Sequence, residues 1–276
     1  MTDRSAFDLD VISDPLWQMT YGERFALEGL LTQVRPALAI ETGTAQGGSL
    51  RRIAAHAREV HAFDIVPEVA ELGSEIFNAT FHIGDSATLL PEVLGEFAAN
   101  GQHVDFALVD GDHSYEGVRR DTLSIVDADA CRRTVIAFHD TANDEVRAAL
   151  ESLNLPAHPK VALCMWDFVP GYLVVRDHPS YGHAAWNGLG LVVLDDAARA
   201  DSPVVMDDRY SVAEVYQRVR RAYEEDQAGG APPGPAQAAS AEPAAGIAGS
   251  AARTVAAAGA GVIAGVGAAL LARRKR

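Results

Sequence analysis

The sequence has little cysteine and no excess of basic residues, and each of these shortages excludes some classes of protein. Two cysteines in 276 residues are too few for a disulfide framework, and their spacing forms no metal-ligand pair. Cys131 and Cys164 stand in apolar surroundings, so we predict buried, reduced thiols. A formal net charge of -15 would repel a phosphate backbone, and we therefore predict no nucleic-acid partner.

The start of the chain also lacks an apolar run. The first residues, MTDRSAFDLD, include acidic side chains and do not form a signal peptide pattern. Hydrophobic residues make up 48% and charged residues 22% of the chain, which is typical of a globular protein with a sizeable core. We therefore expect a cytoplasmic protein.

A change of composition near Gln227 divides the chain into three parts. Residues 1–226 are mixed and periodic, residues 227–253 are rich in Ala, Gly and Pro, and residues 254–276 form an apolar tail with a basic end. The middle part is predicted to be a linker because it cannot bury enough apolar surface to order itself. The uncharged run 255–272 leaves two alternatives, a membrane-spanning helix or a tail that is disordered or contacts a membrane surface.

Short apolar runs alternate with helical patterns in the first part of the chain. This alternation predicts βαβ units and a parallel sheet. The predicted strands are 38–40, 60–63, 81–83, 104–109 and 135–138, and the predicted helices are 48–58, 87–99, 115–126 and 144–153. Two later strands, 173–175 and 189–194, are predicted with a polar loop between them.

Acidic residues follow the predicted strands. In an open α/β sheet the carboxyl ends of the strands line one edge, and ligands bind there. We therefore expect a single crevice that gathers Glu41, Asp64, Asp85, Asp110 and the pair His139 and Asp140. Such a set suits hydroxyl groups, a cationic ligand or a divalent metal.

The first strand leads into a glycine-rich turn, ETGTAQGGS. Glycine lets the strand turn sharply and lets a ligand approach the backbone, so Gly43, Gly47 and Ser49 are candidate cofactor-binding residues. Glu41 occupies the place of the first glycine of a dinucleotide-binding turn. A carboxylate there would repel a pyrophosphate and attract the ammonium group of an amino-acid ligand.

The next two strand ends carry the other candidate cofactor residues. An acid at the position of Asp64 commonly accepts hydrogen bonds from ribose hydroxyls. Asp85 and Ser86 are placed to meet an adenine edge. The alternative for both aspartates is that they cap the helices that follow.

Five motifs in order resemble the class I S-adenosylmethionine-dependent methyltransferases: ETGTAQGGS, FDIVPE, GDSATLLPEVL, LVDGDHSYEGV and FHDT. Over roughly residues 20–195 the chain is similar to the branch that contains macrocin O-methyltransferase and the cephalosporin-hydroxylase-like proteins. The resemblance implies a Rossmann-like, seven-stranded, mostly parallel sheet flanked by helices, with the last strand reversed. It also implies S-adenosylmethionine as cofactor and O-methylation of a small hydroxylated acceptor.

The resemblance further implies a metal site. Related metal-dependent enzymes carry an acid after the fourth strand and an acidic pair after the fifth, which here correspond to Asp110, His139 and Asp140. Oxygen ligands suit Mg²⁺, whereas the imidazole of His139 favours Zn²⁺, Fe²⁺ or Mn²⁺. Three alternatives follow: a softer divalent metal binds, His139 lies behind the ligands, or no metal binds.

His113 stands where related catechol-type enzymes have a lysine as general base. A histidine has an unperturbed pKa of about 6.5 and can remove a proton from an acceptor hydroxyl near neutral pH. The alternatives are a surface His113 bonded to a backbone carbonyl, and a role for Asp110 and Asp112 in capping the next helix. His61, His82 and His103 have no partners by spacing and are predicted to be structural or exposed.

The acceptor side is the least specified region. Aromatic and polar residues between the fifth strand and the last suit a lid over a ring-shaped acceptor, although they also suit a core around a hairpin: Trp166, Asp167, Tyr172, Tyr181, His183 and Trp186. The segment 16–25 is a second candidate cover. Two other functions stay open, an NAD-dependent oxidoreductase on the same fold and a non-catalytic S-adenosylmethionine-binding, membrane-tethered module.

Overall fold

The computed structural model describes residues 13–173, 185–201, 204–206 and 213–228. These residues belong to one compact unit. The proposed linker and tail lie outside the described residues, except for the last two residues of the final helix. The division of the chain at residues 226 and 253 therefore stays a prediction.

A single eight-stranded sheet forms the centre of the fold, in the order β10-β6-β9-β5-β4-β1-β2-β3. Among the described strands of this sheet, only β9 runs antiparallel to its neighbours, β5 and β6. The separate pair of β7 and β8 is also antiparallel. Without the two-residue edge strand β10, this is the predicted seven-stranded sheet with a reversed last strand. The strands are β1 Leu38–Thr42, β2 Glu59–Asp64, β3 Ala79–Ile83, β4 Phe106–Val109, β5 Val135–Phe138, β6 Val161–Val169, β7 Tyr172–Leu173, β8 Ala185–Trp186, β9 Leu189–Leu194 and β10 Val205–Met206, of which β7 and β8 pair separately.

Helices cover both faces of the sheet. They are α1 Tyr21–Val34, α2 Gly48–His56, α3 Ser86–Ala99, α4 Tyr115–Asp127, α5 Asp144–Ser152, α6 Asp196–Asp201 and α7 Ala213–Ala228, with 3₁₀ helices at Pro67–Ser74 and Leu155–Ala157. Most of the long helices begin at a side-chain cap, as at Thr20, Asp85, Ser114 and Asn143. These caps satisfy amide groups that a helix start leaves without a partner.

The two faces of the sheet bury separate hydrophobic clusters. In β4, Phe106 and Leu108 point to the cluster that holds α1 and α2, whereas Ala107 and Val109 point to the cluster that holds α3, α4 and α5. This alternation follows from the two-residue period of a strand. Because both faces are covered, the open edge at the carboxyl ends of the strands is where ligands can reach the sheet. Both cysteines are buried and unpaired, as predicted.

Two elements differ from the sequence prediction. The helix α1 was not predicted, and the segment 161–169 is a full strand, β6, rather than part of a loop. Of the predicted strand 173–175, only its first residue lies within β7, and the other two fall outside the described residues. Among the described residues no helix is long and apolar enough to cross a membrane, and the run 255–272 lies outside them.

Candidate active site

The glycine-rich turn is held tightly against the end of β4. Gly43 has a φ of +79°, and a Cβ atom built there would lie 2.0 Å from the carbonyl oxygen of Asp110. Only glycine accepts both the left-handed backbone and this close approach. Gly47, at a φ of +76°, starts α2 without a side-chain cap. The turn and the end of β4 therefore form one continuous rim.

Glu41 lies fully buried beneath this turn. Its Oε1 accepts a hydrogen bond from Ser49 Oγ at 2.6 Å, and its Oε2 accepts one from Thr44 Oγ1 at 3.0 Å. Burial raises the pKa of Glu41 to about 8, because two neutral hydroxyls do not replace the lost water. Ser49, a predicted cofactor residue, therefore contacts Glu41 directly.

Asp64 links the ends of β1 and β2. Its Oδ2 accepts hydrogen bonds from the backbone amides of Thr44 and Ala45 at 2.9 and 3.0 Å, and its Oδ1 accepts one from Val66 at 2.9 Å. The carboxylate thus fixes the shape of the glycine-rich turn. This contact places Asp64 at the predicted crevice.

Asp85 and Ser86 have structural roles in addition to their place at the sheet edge. Asp85 is exposed and caps α3 by accepting a hydrogen bond from the amide of Ala87 at 3.0 Å. Ser86 donates its hydroxyl to Asp121 Oδ1 at 2.8 Å. Asp121 is 2% exposed and was not singled out by the sequence, since it sits inside a helical pattern. Burial raises the pKa of Asp121.

Two carboxylates and two imidazoles meet where β4 and β5 end, and we call Asp110, His113, His139 and Asp140 the acid–imidazole cluster. His113 Nε2 lies 3.3 Å from Asp110 Oδ1 and 3.1 Å from Asp140 Oδ2. His139 Nδ1 lies 2.9 and 3.4 Å from the same two oxygens. The sequence predicted this juxtaposition from the pairing of neighbouring strands, and the alternative of a surface His113 bonded to a carbonyl is wrong.

Opposite charges dominate the protonation of the acid–imidazole cluster. Burial alone would lower the pKa of His113, but its hydrogen bonds to Asp110 and Asp140 outweigh burial and raise the pKa to about 10. The same two carboxylates hold the pKa of the buried His139 well above its usual range. In turn, the imidazoles keep the pKa of both Asp110 and Asp140 low, against the effect of burial.

The donor set of this cluster fits a divalent ion. One ligand atom each from Asp110, His139 and Asp140 can be chosen so that the three lie within 4.8 Å of one another. His139 turns Nδ1 toward the two carboxylates, as a ligand does. Asp112, in contrast, is half-exposed and accepts a hydrogen bond from the amide of Ser114 at 2.9 Å. The N-cap of α4 is Ser114, and Asp112 forms a turn immediately before it, so neither Asp110 nor Asp112 caps the helix.

A buried layer that the sequence did not reveal supports the cluster. Asp140 has a φ of +55°, and its Oδ1 accepts a hydrogen bond from the amide of Asn187 at 2.6 Å. Glu23, fully buried in the first turn of α1, accepts hydrogen bonds from Asn187 Nδ2 and the amide of Gly188. The capping-box spacing of Thr20 and Glu23 was the only local signal of this residue.

The aromatic residues predicted as a lid separate into two groups. The ring centroid of Trp186 lies 6.3 Å from that of His113. Tyr172 is half-exposed, and its pKa is raised by partial burial and by the nearby carboxylates. Trp166 and Asp167 instead lie in β6, where Asp167 pairs with Arg147. The lid interpretation is therefore wrong for these two residues. Tyr181 and His183 lie outside the described residues.

The N-terminal segment packs on the start of α2. A Cβ atom at Gly48 would lie 2.3 Å from the Cα atom of Trp17, which is 2% exposed. Part of the segment 16–25 is thus core. Away from the site, His61 and His82 were expected to lack partners, but their Nδ1 and Nε2 atoms lie 2.8 Å apart. In the pairing of β2 with β3, His61 is opposite Thr80 and His82 is opposite Phe63, so the two histidines are diagonal neighbours on one face of the sheet.

Comparison with known proteins finds a family model that matches part of the chain. Residues 40–141 match a family model described as a methyltransferase domain. Among curated proteins, none matches the chain in sequence. The matched stretch contains β1 to β5, the glycine-rich turn and the whole acid–imidazole cluster.

Several solved structures resemble the chain at low sequence identity. An O-methyltransferase from Bacillus cereus, in complex with S-adenosylhomocysteine, is 15% identical and aligns over 68% of this chain and 88% of its own, with a TM-score of 0.48. An O-methyltransferase of tomaymycin synthesis from Streptomyces achromogenes, with S-adenosylmethionine, is 13% identical over 64% and 81%, with a TM-score of 0.48. The N-methyltransferase NodS from Bradyrhizobium japonicum is 12% identical over 66% and 89%, with a TM-score of 0.42.

The family match favours methyl transfer over the alternative of an NAD-dependent oxidoreductase. The strand order and the reversed strand β9 also agree with the fold that the motif resemblance implied. The part of the chain that carries the acid–imidazole cluster therefore matches a methyltransferase domain.

Proposed function

We propose that this chain is a class I S-adenosylmethionine-dependent methyltransferase that acts on a hydroxyl group of a small acceptor, at the acid–imidazole cluster. The observation that carries the proposal is the contact between the glycine-rich turn and the end of β4. Gly43 lies against Asp110 so closely that a Cβ atom would overlap its carbonyl oxygen. A cofactor seated on the turn would thus lie beside the two carboxylates and two imidazoles.

The cofactor side of the proposal uses the predicted residues at the ends of β1, β2 and β3. The turn residues Gly43 and Gly47 give the backbone its left-handed conformation, and Asp64 keeps the turn in shape. The proposed set is Glu41, Gly43, Gly47, Ser49, Asp64, Asp85 and Ser86. S-Adenosylmethionine supplies an activated methyl group on its sulfonium, and the chain has to hold the acceptor oxygen in line with it.

Asp110, His139 and Asp140 would hold a divalent ion. When bound, such an ion polarises an acceptor hydroxyl and lowers its pKa. The imidazole of His139 favours Mn²⁺, Fe²⁺ or Zn²⁺ over Mg²⁺.

His113 is the proposed general base. Its Nε2 lies within hydrogen-bonding distance of Asp140 and on the open side of the cluster, where the side chain is 31% exposed. An acceptor hydroxyl in this space can donate its proton to the imidazole once the carboxylates are engaged by a cation. The ring of Trp186 beside His113 offers an apolar surface for the carbon skeleton of the acceptor.

Binding measurements test the cofactor. Titration calorimetry on the full chain should detect S-adenosylhomocysteine at micromolar affinity, about 8 kcal/mol, and should detect no NAD binding. Tight NAD binding without S-adenosylhomocysteine binding would contradict the proposal. A non-catalytic module would bind the cofactor but turn over no acceptor in a screen of hydroxylated small molecules.

Turnover measurements test the metal. Chelation should abolish activity, and Mn²⁺ or Mg²⁺ should restore it. Asp110→Asn should lose metal-dependent turnover while keeping its affinity for S-adenosylhomocysteine. The matched control is Asp112→Asn, which changes an exposed carboxylate two positions away and should leave turnover unchanged. Full activity in excess chelator would remove the metal from the proposal.

A further inference from the structure

Glu23 is an unusual helix-capping residue because its carboxylate is fully buried. It forms a capping box with Thr20: Glu23 Oε2 accepts from the amide of Thr20 at 2.6 Å, and Thr20 Oγ1 accepts from the amide of Glu23. A cap of this kind requires only one of the two carboxylate oxygens. The other oxygen, Oε1, points away from the helix end and toward β5.

The second oxygen of Glu23 lies behind His139. Glu23 Oε1 is 3.5 Å from His139 Nε2 and accepts a hydrogen bond from the amide of Gly188 at 2.5 Å. His139 is 5% exposed, and its Nε2 makes no hydrogen bond among the described residues. Glu23 is thus the carboxylate that faces this buried nitrogen. The charge of His139 helps to keep the pKa of Glu23 low although burial opposes this.

The two nitrogens of His139 therefore have different surroundings. Nδ1 faces Asp110 and Asp140 at the open edge of the sheet, and Nε2 faces Glu23 in the interior. In metal sites, a histidine ligand commonly donates its other N–H to a carboxylate, which fixes the tautomer and the ring orientation. Around His139, Nδ1 faces the proposed ligand set and a carboxylate oxygen of Glu23 lies 3.5 Å from Nε2, close to this arrangement.

We propose that Glu23 is a positioning residue for the metal site, a role that rests on the proposed binding of a divalent ion by Asp110, His139 and Asp140. Its carboxylate holds the proton of His139 on Nε2 and so presents the Nδ1 lone pair to the ion. The loop before β9 holds Glu23 in place in turn, through Asn187 Nδ2 and the amide of Gly188. A residue of α1, outside the family match at residues 40–141, thus belongs to the site.

The test measures binding of Mn²⁺ alone to the full chain by electron paramagnetic resonance, with no cofactor or acceptor present. Glu23→Gln keeps the shape of the side chain and removes its charge, and it should weaken Mn²⁺ binding about 10–100-fold. Thr20→Ala is the matched control, because it damages the helix cap and leaves the carboxylate in place. It should lower Tm while leaving Mn²⁺ affinity within about twofold.

A double-mutant cycle separates positioning from a general structural effect. His139→Asp supplies a ligand that has no second nitrogen to orient, so adding Glu23→Gln to this variant should change Mn²⁺ affinity less than about threefold. An equal loss in both backgrounds, or no loss in the wild-type background, would overturn the proposal. If Glu23→Gln does not fold, Glu23→Asp withdraws the carboxylate from Nε2 while keeping its charge, and wild-type Mn²⁺ affinity in that variant would also overturn it.

The proposed metal site can fail separately from the role of Glu23. If the wild-type chain binds no Mn²⁺, or binds it only as well as Asp110→Asn does, both the metal site and the positioning role of Glu23 are wrong. If Asp110→Asn abolishes Mn²⁺ binding and Glu23→Gln leaves it intact, only the role of Glu23 is wrong.

Discussion

Two buried carboxylates at the same edge of the sheet behave in opposite ways. Glu41, under the glycine-rich turn, has its pKa raised to about 8, whereas the pKa of Asp140, after β5, is held low. Both side chains are almost inaccessible to solvent. Glu41 is bonded to two neutral hydroxyls, and Asp140 lies beside two imidazoles. Burial raises the pKa of both acids, and only the imidazoles beside Asp140 carry the charge that outweighs it.

The largest expected effect is on kcat, and it concerns His113, one of the two imidazoles beside Asp140. His113→Ala should reduce kcat by about 10²–10⁴-fold, the usual contribution of a positioned acid–base group. Its affinity for S-adenosylhomocysteine should barely change, because the residue faces the acceptor space rather than the turn. Steady-state kinetics and calorimetry on the same variant measure both quantities.

Two further variants sharpen the assignment of the base. His113→Lys should retain partial activity, since related enzymes use lysine at this position. His139→Ala should lose the metal contribution and is compared in the same assay. Near wild-type kcat in His113→Ala together with an inactive His139→Ala would show that His139 is the essential imidazole and that the base is assigned wrongly.

A smaller effect is expected for Glu41, the carboxylate bonded to two hydroxyls, and it concerns how the free energy of unfolding depends on pH. The folded state favours neutral Glu41, so the stabilisation from this group is complete below its unfolded pKa of 4.5 and is lost as the pH rises toward about 8. Glu41→Gln cannot ionise and removes this dependence. The free energy of unfolding of the wild type, minus that of the variant, should fall by at most about 1.4 kcal/mol per pH unit in this window. Urea unfolding from pH 5 to 8 without ligands measures it.

Glu28 provides the matched control for Glu41. Its carboxylate pairs with Arg52 and His56, and these partners lower its pKa although burial opposes this. The stabilisation from Glu28 is present above pH 4.5 and lost only at more acidic pH. With His56→Gln in both chains, which removes the partner that titrates in this range, the effect of Glu28→Gln should be flat from pH 5 to 8. A flat difference for Glu41→Gln as well would contradict the contrast between the two carboxylates.

The smallest effect concerns the backbone contact that joins the two regions. Gly43→Ala has to adopt a left-handed φ, at a cost of about 1–2 kcal/mol, and its Cβ meets the carbonyl of Asp110. Gly95→Ala, in α3 with nothing within 4 Å, should stabilise by up to about 1 kcal/mol because alanine is the better helix former. Urea unfolding compares the two. Equal stability of both variants would mean that the turn and the end of β4 are not in close contact.

The sequence predicted the strands β1 to β5 within a few residues, because each is a short apolar run that ends in a polar residue. It did not predict β6, whose residues are mostly half-buried and show no clear alternation of exposure. The helix α1 was also missed, since its buried face includes Glu23 and Arg24 beside Leu27 and Leu31. Charged residues on a buried face weaken the periodic signal of a helix.

The site was predictable where its residues follow strands of known neighbours. Asp110, His139 and Asp140 were placed together because β4 and β5 pair in parallel register. Glu23 and Asn187 could not be predicted in this way. Their contact depends on the reversed strand β9 and on α1, and no local pattern links two segments so far apart in the chain.

The hydrogen bond from Gly188 to Glu23 joins residues 165 positions apart, and this distance has a consequence during synthesis. Strands β1 to β5 can pair as they leave the ribosome, but β9 has to insert between β5 and β6 before the interior of the site closes. Contacts of such long range form late, because the chain must first close a large loop. A nascent chain that stops before Asn187 would therefore carry every residue of the acid–imidazole cluster and still lack the hydrogen bonds from the loop before β9 to Glu23 and Asp140.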